Sequence, residues 1–89
     1  QKFMICYQDK NIMKAFILLK IRVGEVGAVV KQLRRVDGVV EADVTFGPYD
    51  AVAVVKAEDI NTLGNLVYLN IQPIPGILET LTCLVADNS

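Results

Sequence analysis

Six apolar stretches alternate between two spacings along this chain, and their order leaves few ways to fold it. Residues 14–23 place Ala15, Ile17, Leu19, Ile21 and Val23 on one side of an extended chain and Phe16 and Leu18 on the other. That pattern predicts a central strand, apolar on both faces at its start. Residues 25–36 change period. Val26, Val29, Val30, Leu33 and Val36 recur at helical spacing, with Glu25 early and Lys31, Arg34 and Arg35 late, an order that suits the helix dipole. Asp37-Gly38 stops this helix, and residues 38–46 alternate, with Val39, Glu41, Asp43 and Thr45 opposite Val40, Ala42, Val44 and Phe46, as in a half-buried edge strand.

Gly47-Pro48 predicts a tight reversal, because glycine takes φ above zero and proline cannot extend a ladder. The hairpin partner spans residues 49–57. Asp59 is placed to cap a second helix reaching about Ile71, with Ile60, Leu63, Leu66, Val67 and Ile71 on one side and Pro73 and Pro75 ending it. Residues 76–86 return to alternation, with Leu78, Thr80, Thr82 and Leu84 opposite Ile77, Glu79, Leu81, Cys83 and Val85. The order is βαββαβ. Right-handed crossovers turn it into an α+β ferredoxin-like sandwich, a four-stranded antiparallel sheet with two helices on one face. Strands one, three and four are apolar on both faces, so the open sheet face is expected to be buried against a second copy, making the protein dimeric.

Composition agrees with one core and narrows the chemistry. The 89 residues are 53% hydrophobic, with no His, no Trp and a single serine, Ser89. No Ser/His/Asp or Cys/His nucleophile system can be assembled from that inventory, nor a typical zinc site, so no catalytic residue, metal or cofactor is expected. A net charge of −1 without a basic block argues against autonomous nucleic-acid binding. The longest strictly apolar runs are about five residues, far short of the roughly 20 that span a bilayer. Two cysteines in a core-rich chain fit a cytoplasmic setting, with Cys83 expected as a buried thiol and a Cys6–Cys83 bridge the alternative. Residues 1–13 lack a clean period and read as an N-terminal extension or leader ahead of a domain at 14–89.

Three motifs carry a resemblance. They are Val36, Gly38, Val39, Glu41 and Ala42 in a V-x-G-V-x-E-A-like turn and strand, then Thr45-Phe46-Gly47-Pro48-Tyr49-Asp50, then Pro75-Gly76-Ile77 followed by Thr80 and Thr82. Together they resemble the ligand-binding module of the Lrp/AsnC feast/famine regulators, often called the RAM domain. The resemblance implies a module that binds free amino acids and forms homodimers that associate further, commonly into octamers. In that family a separate helix-turn-helix domain holds DNA, and thirteen residues before the first strand do not encode one. A stand-alone module is therefore expected, modulating transcription by joining full-length Lrp/AsnC regulators, and a fragment of a longer regulator is the alternative.

By the same resemblance the ligand sits between neighbouring dimers, with Gly47, Tyr49, Asp50, Thr80 and Thr82 as candidate ligand-binding residues. Glycine admits a close backbone approach, threonine hydroxyls donate to a carboxylate, and Asp50 pairs with an ammonium or holds the loop. Each has a plainer competing role. Gly47 and Asp50 serve the reversal, Tyr49 is an interface aromatic, and Thr80 and Thr82 reflect β-propensity alone. Glu41 and Asp43 read as a solvated edge, and Lys31, Arg34 and Arg35 as a solvated helix end. A small dimeric α+β barrel enzyme and a ligand-free structural adaptor are the alternative functions.

Overall fold

A computed structural model describes residues 12–86. The period-two and helical segments take up the expected order: β1 (Met13–Ile21), α1 (Val26–Leu33), β2 (Val39–Val44), β3 (Ala51–Ala57), α2 (Ile60–Asn65) and β4 (Ile77–Leu84). Beyond α2 the chain widens into a π-helical segment, Leu66–Ile71, marked by the Gln72 N–H donating to the Val67 carbonyl at 2.8 Å. The single long helix expected to Ile71 is therefore two pieces. The proposed leader up to residue 11, and with it Cys6, lies outside the described residues.

The strands form one antiparallel sheet in the order β2-β3-β1-β4. One face is the core. Ala15, Ile17, Leu19 and Ile21 of β1 lie beside Ala51, Ala53 and Val55 of β3, all buried under Val29, Val30 and Leu33 of α1 and Leu63, Leu66, Val67 and Ile71 beyond it. Ile60, expected on the buried side of the second helix, is half exposed. Asp59 caps α2 as expected, its carboxylate accepting the Thr62 N–H at 2.7 Å. That bond holds the exposed Asp59 carboxyl below its ordinary value of 3.8.

Two irregularities correct the simple alternation. Pairing shifts between Val39 and Glu41, which puts Val39 on the helix side with Ala42 and Val44, and leaves Glu41 and Asp43 on the open face. A second shift between Lys20 and Ile21 pairs Ile21 with Ile77, so Ile77 shares a face with Thr80 and Thr82. The tight reversal expected at Gly47-Pro48 is also wider: β2 ends at Val44 and β3 begins at Ala51. The loop is held by the Thr45 N–H donating to the Asp50 carbonyl at 3.0 Å and the Thr45 hydroxyl donating to the Tyr49 carbonyl at 2.9 Å.

The open sheet face is a small apolar block with charged borders. Phe16 and Leu18 of β1, Val52 and Val54 of β3, and Leu81 and Cys83 of β4 fall in adjacent register. Lys14 and Lys56 pair at one end, Lys20 and Glu79 at the other, and Glu41 and Asp43 line the β2 side. Cys83 is exposed, correcting the expectation of a buried thiol: strand alternation turns it away from the helices. Arg34 departs from a merely solvated helix end. Its Nε donates to the Ala42 carbonyl at 2.9 Å, and a terminal nitrogen lies 3.6 Å from Asp43, so it occupies the outer edge of β2.

Candidate functional site

The two helices lie mainly over β2 and β3, and β4 is left as an exposed shelf. Thr80 is half-buried there and Thr82 exposed, both on the helix side of the sheet because they pair with Leu19 and Ile17. Beside them lies a cleft of about 310 Å³ lined by Gln72, Ile77, Leu78, Glu79 and Thr80. Gln72 closes its wall, its Nε2 donating to the Thr80 hydroxyl oxygen at 3.1 Å. With its oxygen taken as an acceptor, the Thr80 hydroxyl keeps its own proton to donate.

The remaining candidates lie across the sheet, on the β2–β3 loop. Gly47 has φ of +149°, and a side chain there would meet open space. The glycine is therefore required by backbone conformation, and its surface is free for a close approach. Tyr49 is half-buried, with the Lys20 ammonium 5.7 Å from its ring centroid. Asp50 is tied into the fold. Its N–H donates to the Leu19 carbonyl at 2.8 Å, and its Oδ2 accepts the Ile21 N–H at 2.8 Å, where pairing with β4 shifts. It thus fastens the loop to the end of β1 rather than capping its own turn, with Oδ1 left over.

The five candidates therefore fall into two groups. Leu19 pairs with Ala51 on one side and Thr80 on the other, so β1 stands between the loop and the threonines, about 10 Å or two strand spacings apart. Within one chain the loop supplies backbone groups and a carboxylate, and β4 supplies hydroxyl donors. Gln72 was invisible to sequence reasoning, because a lone amide between a helix and Pro73 carries no pattern; only the packing of the π-helical segment beside β4 brings it to Thr80. Among the described residues, no cluster of three or more His, Cys, Asp or Glu is placed to hold a metal. No helix among them is long and apolar enough to cross a membrane.

The fold is found in other proteins. The family model for the Lrp/AsnC ligand binding domain matches residues 14–88. The HTH-type transcriptional regulator FL11 of Pyrococcus horikoshii is 36% identical over 73 residues, which is 82% of this chain and 48% of the regulator, so the chain spans about half the length of that relative. Of solved structures, TTHA0845 from Thermus thermophilus matches with a TM-score of 0.82 at 30% identity, over 86% of this chain and 96% of that one. The AsnC protein of E. coli matches with a TM-score of 0.83 at 25% identity, over 93% of this chain and 56% of that one.

Proposed function

This chain belongs to the Lrp/AsnC ligand binding domain family, and from that membership we propose that it is an amino-acid sensor acting through its own assembly. The family is one of transcriptional regulators rather than enzymes, which removes the small α+β barrel enzyme. The observation that carries the reading is the division of the candidate residues. Gly47, Tyr49 and Asp50 stand on one side of β1, and Thr80 and Thr82 on the other.

A zwitterion seated between the loop of one copy and the β4 shelf of the next would bridge them. Thr80 and Thr82 donate to its carboxylate, while the free Asp50 oxygen and the loop carbonyls accept from its ammonium. Such a ligand favours the assembled state by its preference for that state. The open sheet face supports a homodimer as the building block, since Phe16, Leu18, Val52, Val54 and Leu81 form a contiguous apolar block within a charged rim. Higher assembly, up to an octamer, follows from contacts between such dimers. In a cytoplasmic setting the module would also join the matching domains of full-length Lrp/AsnC regulators and change their assembly, without contacting DNA itself.

The test is sedimentation velocity and thermal melting of the purified chain, alone and with each of the twenty amino acids at millimolar concentration. One chemical class of amino acid is expected to raise both the mass and the melting temperature. Unchanged mass and melting with all twenty would refute sensing and leave an adaptor.

A further inference from the structure

β2 is an outer strand of the sheet. Backbone groups along such an edge alternate, one residue turned to the neighbouring strand and the next turned away from it. Ala42 turns its carbonyl outward, where it accepts the Arg34 Nε–H at 2.9 Å. Val44, two residues on, shares that direction. Val40 falls in the pairing shift and has no register partner in β3. Both valines are more than half exposed, at 53% and 55%. An edge with two uncovered β-branched side chains around an outward carbonyl is one that readily takes a strand from another chain.

Arg34 stands across this edge. It follows α1 as the C-cap of a helix that lies on one face of the sheet. On the other face, Asp43 has Oδ1 3.6 Å from a terminal nitrogen of the same guanidinium. The group therefore starts from one face, fills the carbonyl in the plane of the sheet and reaches a carboxylate on the opposite face. With residues 39–43 it lines a cleft of about 340 Å³, so it stands where an added strand would lie. The ion pair is solvent-exposed and adds little to stability. Its consequence lies in what else can reach the edge.

We propose that Arg34 is an edge guard that keeps β2 from pairing with β2 of a second copy. The strand is complementary to itself. Paired antiparallel about Ala42, Val40 of each copy would stand opposite Val44 of the other, and β-branched cross-strand pairs stabilise a ladder. Each Ala42 carbonyl would accept the N–H of the other Ala42, and Arg34 already occupies that carbonyl. Glu41 would face Asp43 in the same pairing, a repulsion that salt screens. No ligand takes part, so the guard stands apart from amino-acid sensing.

The experiment compares the full chain with Arg34→Met, which keeps the length of the stem and removes its charge and donors. Arg35→Met makes the same change one residue away and serves as the control. Sedimentation velocity over a range of concentrations, at low and high salt and without amino acids, is paired with infrared spectra and circular dichroism melts. Arg34→Met is expected to reach at least about twice the mass of the parent species, most completely at high salt, with new intermolecular β-structure. It is expected to melt within about 8 °C of the parent, since one partly exposed hydrogen bond is lost. Arg35→Met is expected to keep the parent mass. Adding Val40→Lys to Arg34→Met places a charge on the exposed edge and is expected to return the parent mass. Arg34→Met at the parent mass under every condition, larger species that Val40→Lys does not suppress, or equal association of Arg35→Met each overturns the proposal. So does an Arg34→Met chain that is unfolded, which would make Arg34 a residue of the fold and not of its edge.

Discussion

Replacing Asp50 by alanine tests whether this residue, a proposed ligand contact, also builds the fold. The substitution removes a charge-assisted bond, the 2.8 Å contact from the Ile21 N–H to Oδ2. It leaves the main-chain bonds from Asp50 to Leu19 and from Thr45 to Asp50 in place. Ile21 is buried, and its amide sits where the β1–β4 pairing shifts, so nothing nearby replaces the lost acceptor. A hydrogen bond to a charged group contributes about 1.5–3 kcal/mol, and leaving the buried donor without a partner places the loss in that range. For a domain of this size each kcal/mol moves the midpoint by roughly 4–8 °C, so Asp50→Ala is expected to melt about 6–24 °C below the parent. Asp50→Asn keeps an oxygen acceptor and is expected to lose less than half as much.

Urea unfolding at neutral pH checks the same ordering, with the midpoint falling and the slope unchanged. An alanine variant within about 2 °C of the parent, or an asparagine variant no better than alanine, would refute the claim that this carboxylate pins the loop to β1. The outcome also governs how ligand data are read. Alanine would disturb the loop and the proposed ligand contact together, so Asp50→Asn is the variant that isolates the proposed ammonium contact. It is expected to lower amino-acid-induced stabilisation while the fold persists.

Leu33→Ala empties a fully buried position on the core face of α1; its urea midpoint is expected to report a loss of about 2–5 kcal/mol. Gly76→Ala is expected to destabilise by about 1–3 kcal/mol in the same assay. There φ is +100°, and a new Cβ would stand 2.6 Å from Glu25 Oε1 and 3.0 Å from Val29 Cγ2. Asp59→Ala is expected to lower the melting temperature at neutral pH. Because the folded carboxyl sits below its ordinary 3.8, its contribution is present above that value and is lost as pH falls through the lowered one. Melts of parent and variant should therefore converge below pH 3.8, and a constant gap would show that the cap charge is not involved.

The strand and helix order was legible because each element repeats its apolar residues over two or more turns or several alternations. Ala15, Ile17, Leu19 and Ile21 needed no neighbour to declare a buried face, and all four are buried. Asp59 was equally plain, since a cap acts on the amides of its own helix. Local errors fell where one residue breaks the count. The shifts at Val39/Glu41 and Lys20/Ile21 exchange faces without changing composition. The π-helical widening at Leu66–Ile71 still buries Leu66, Val67 and Ile71, so the apolar spacing could not reveal it.

The motif residues Gly47, Tyr49, Asp50, Thr80 and Thr82 were identifiable as a set, yet their spacing along the chain says nothing about distance across the sheet. Strand order is a long-range choice: placing β1 between β3 and β4 divides the set into two groups. The same choice sends the Asp50 carboxylate to an amide 29 positions away and the Gln72 amide to Thr80. Which residues repel or seek water along each element, and so the elements and the family, was written in the order of the amino acids. Tertiary structure alone decided which carboxylate is spent on the backbone, which hydroxyl is held as a donor and which arginine covers a strand edge, because hydrogen bonds and burial depend on what the folded chain brings alongside.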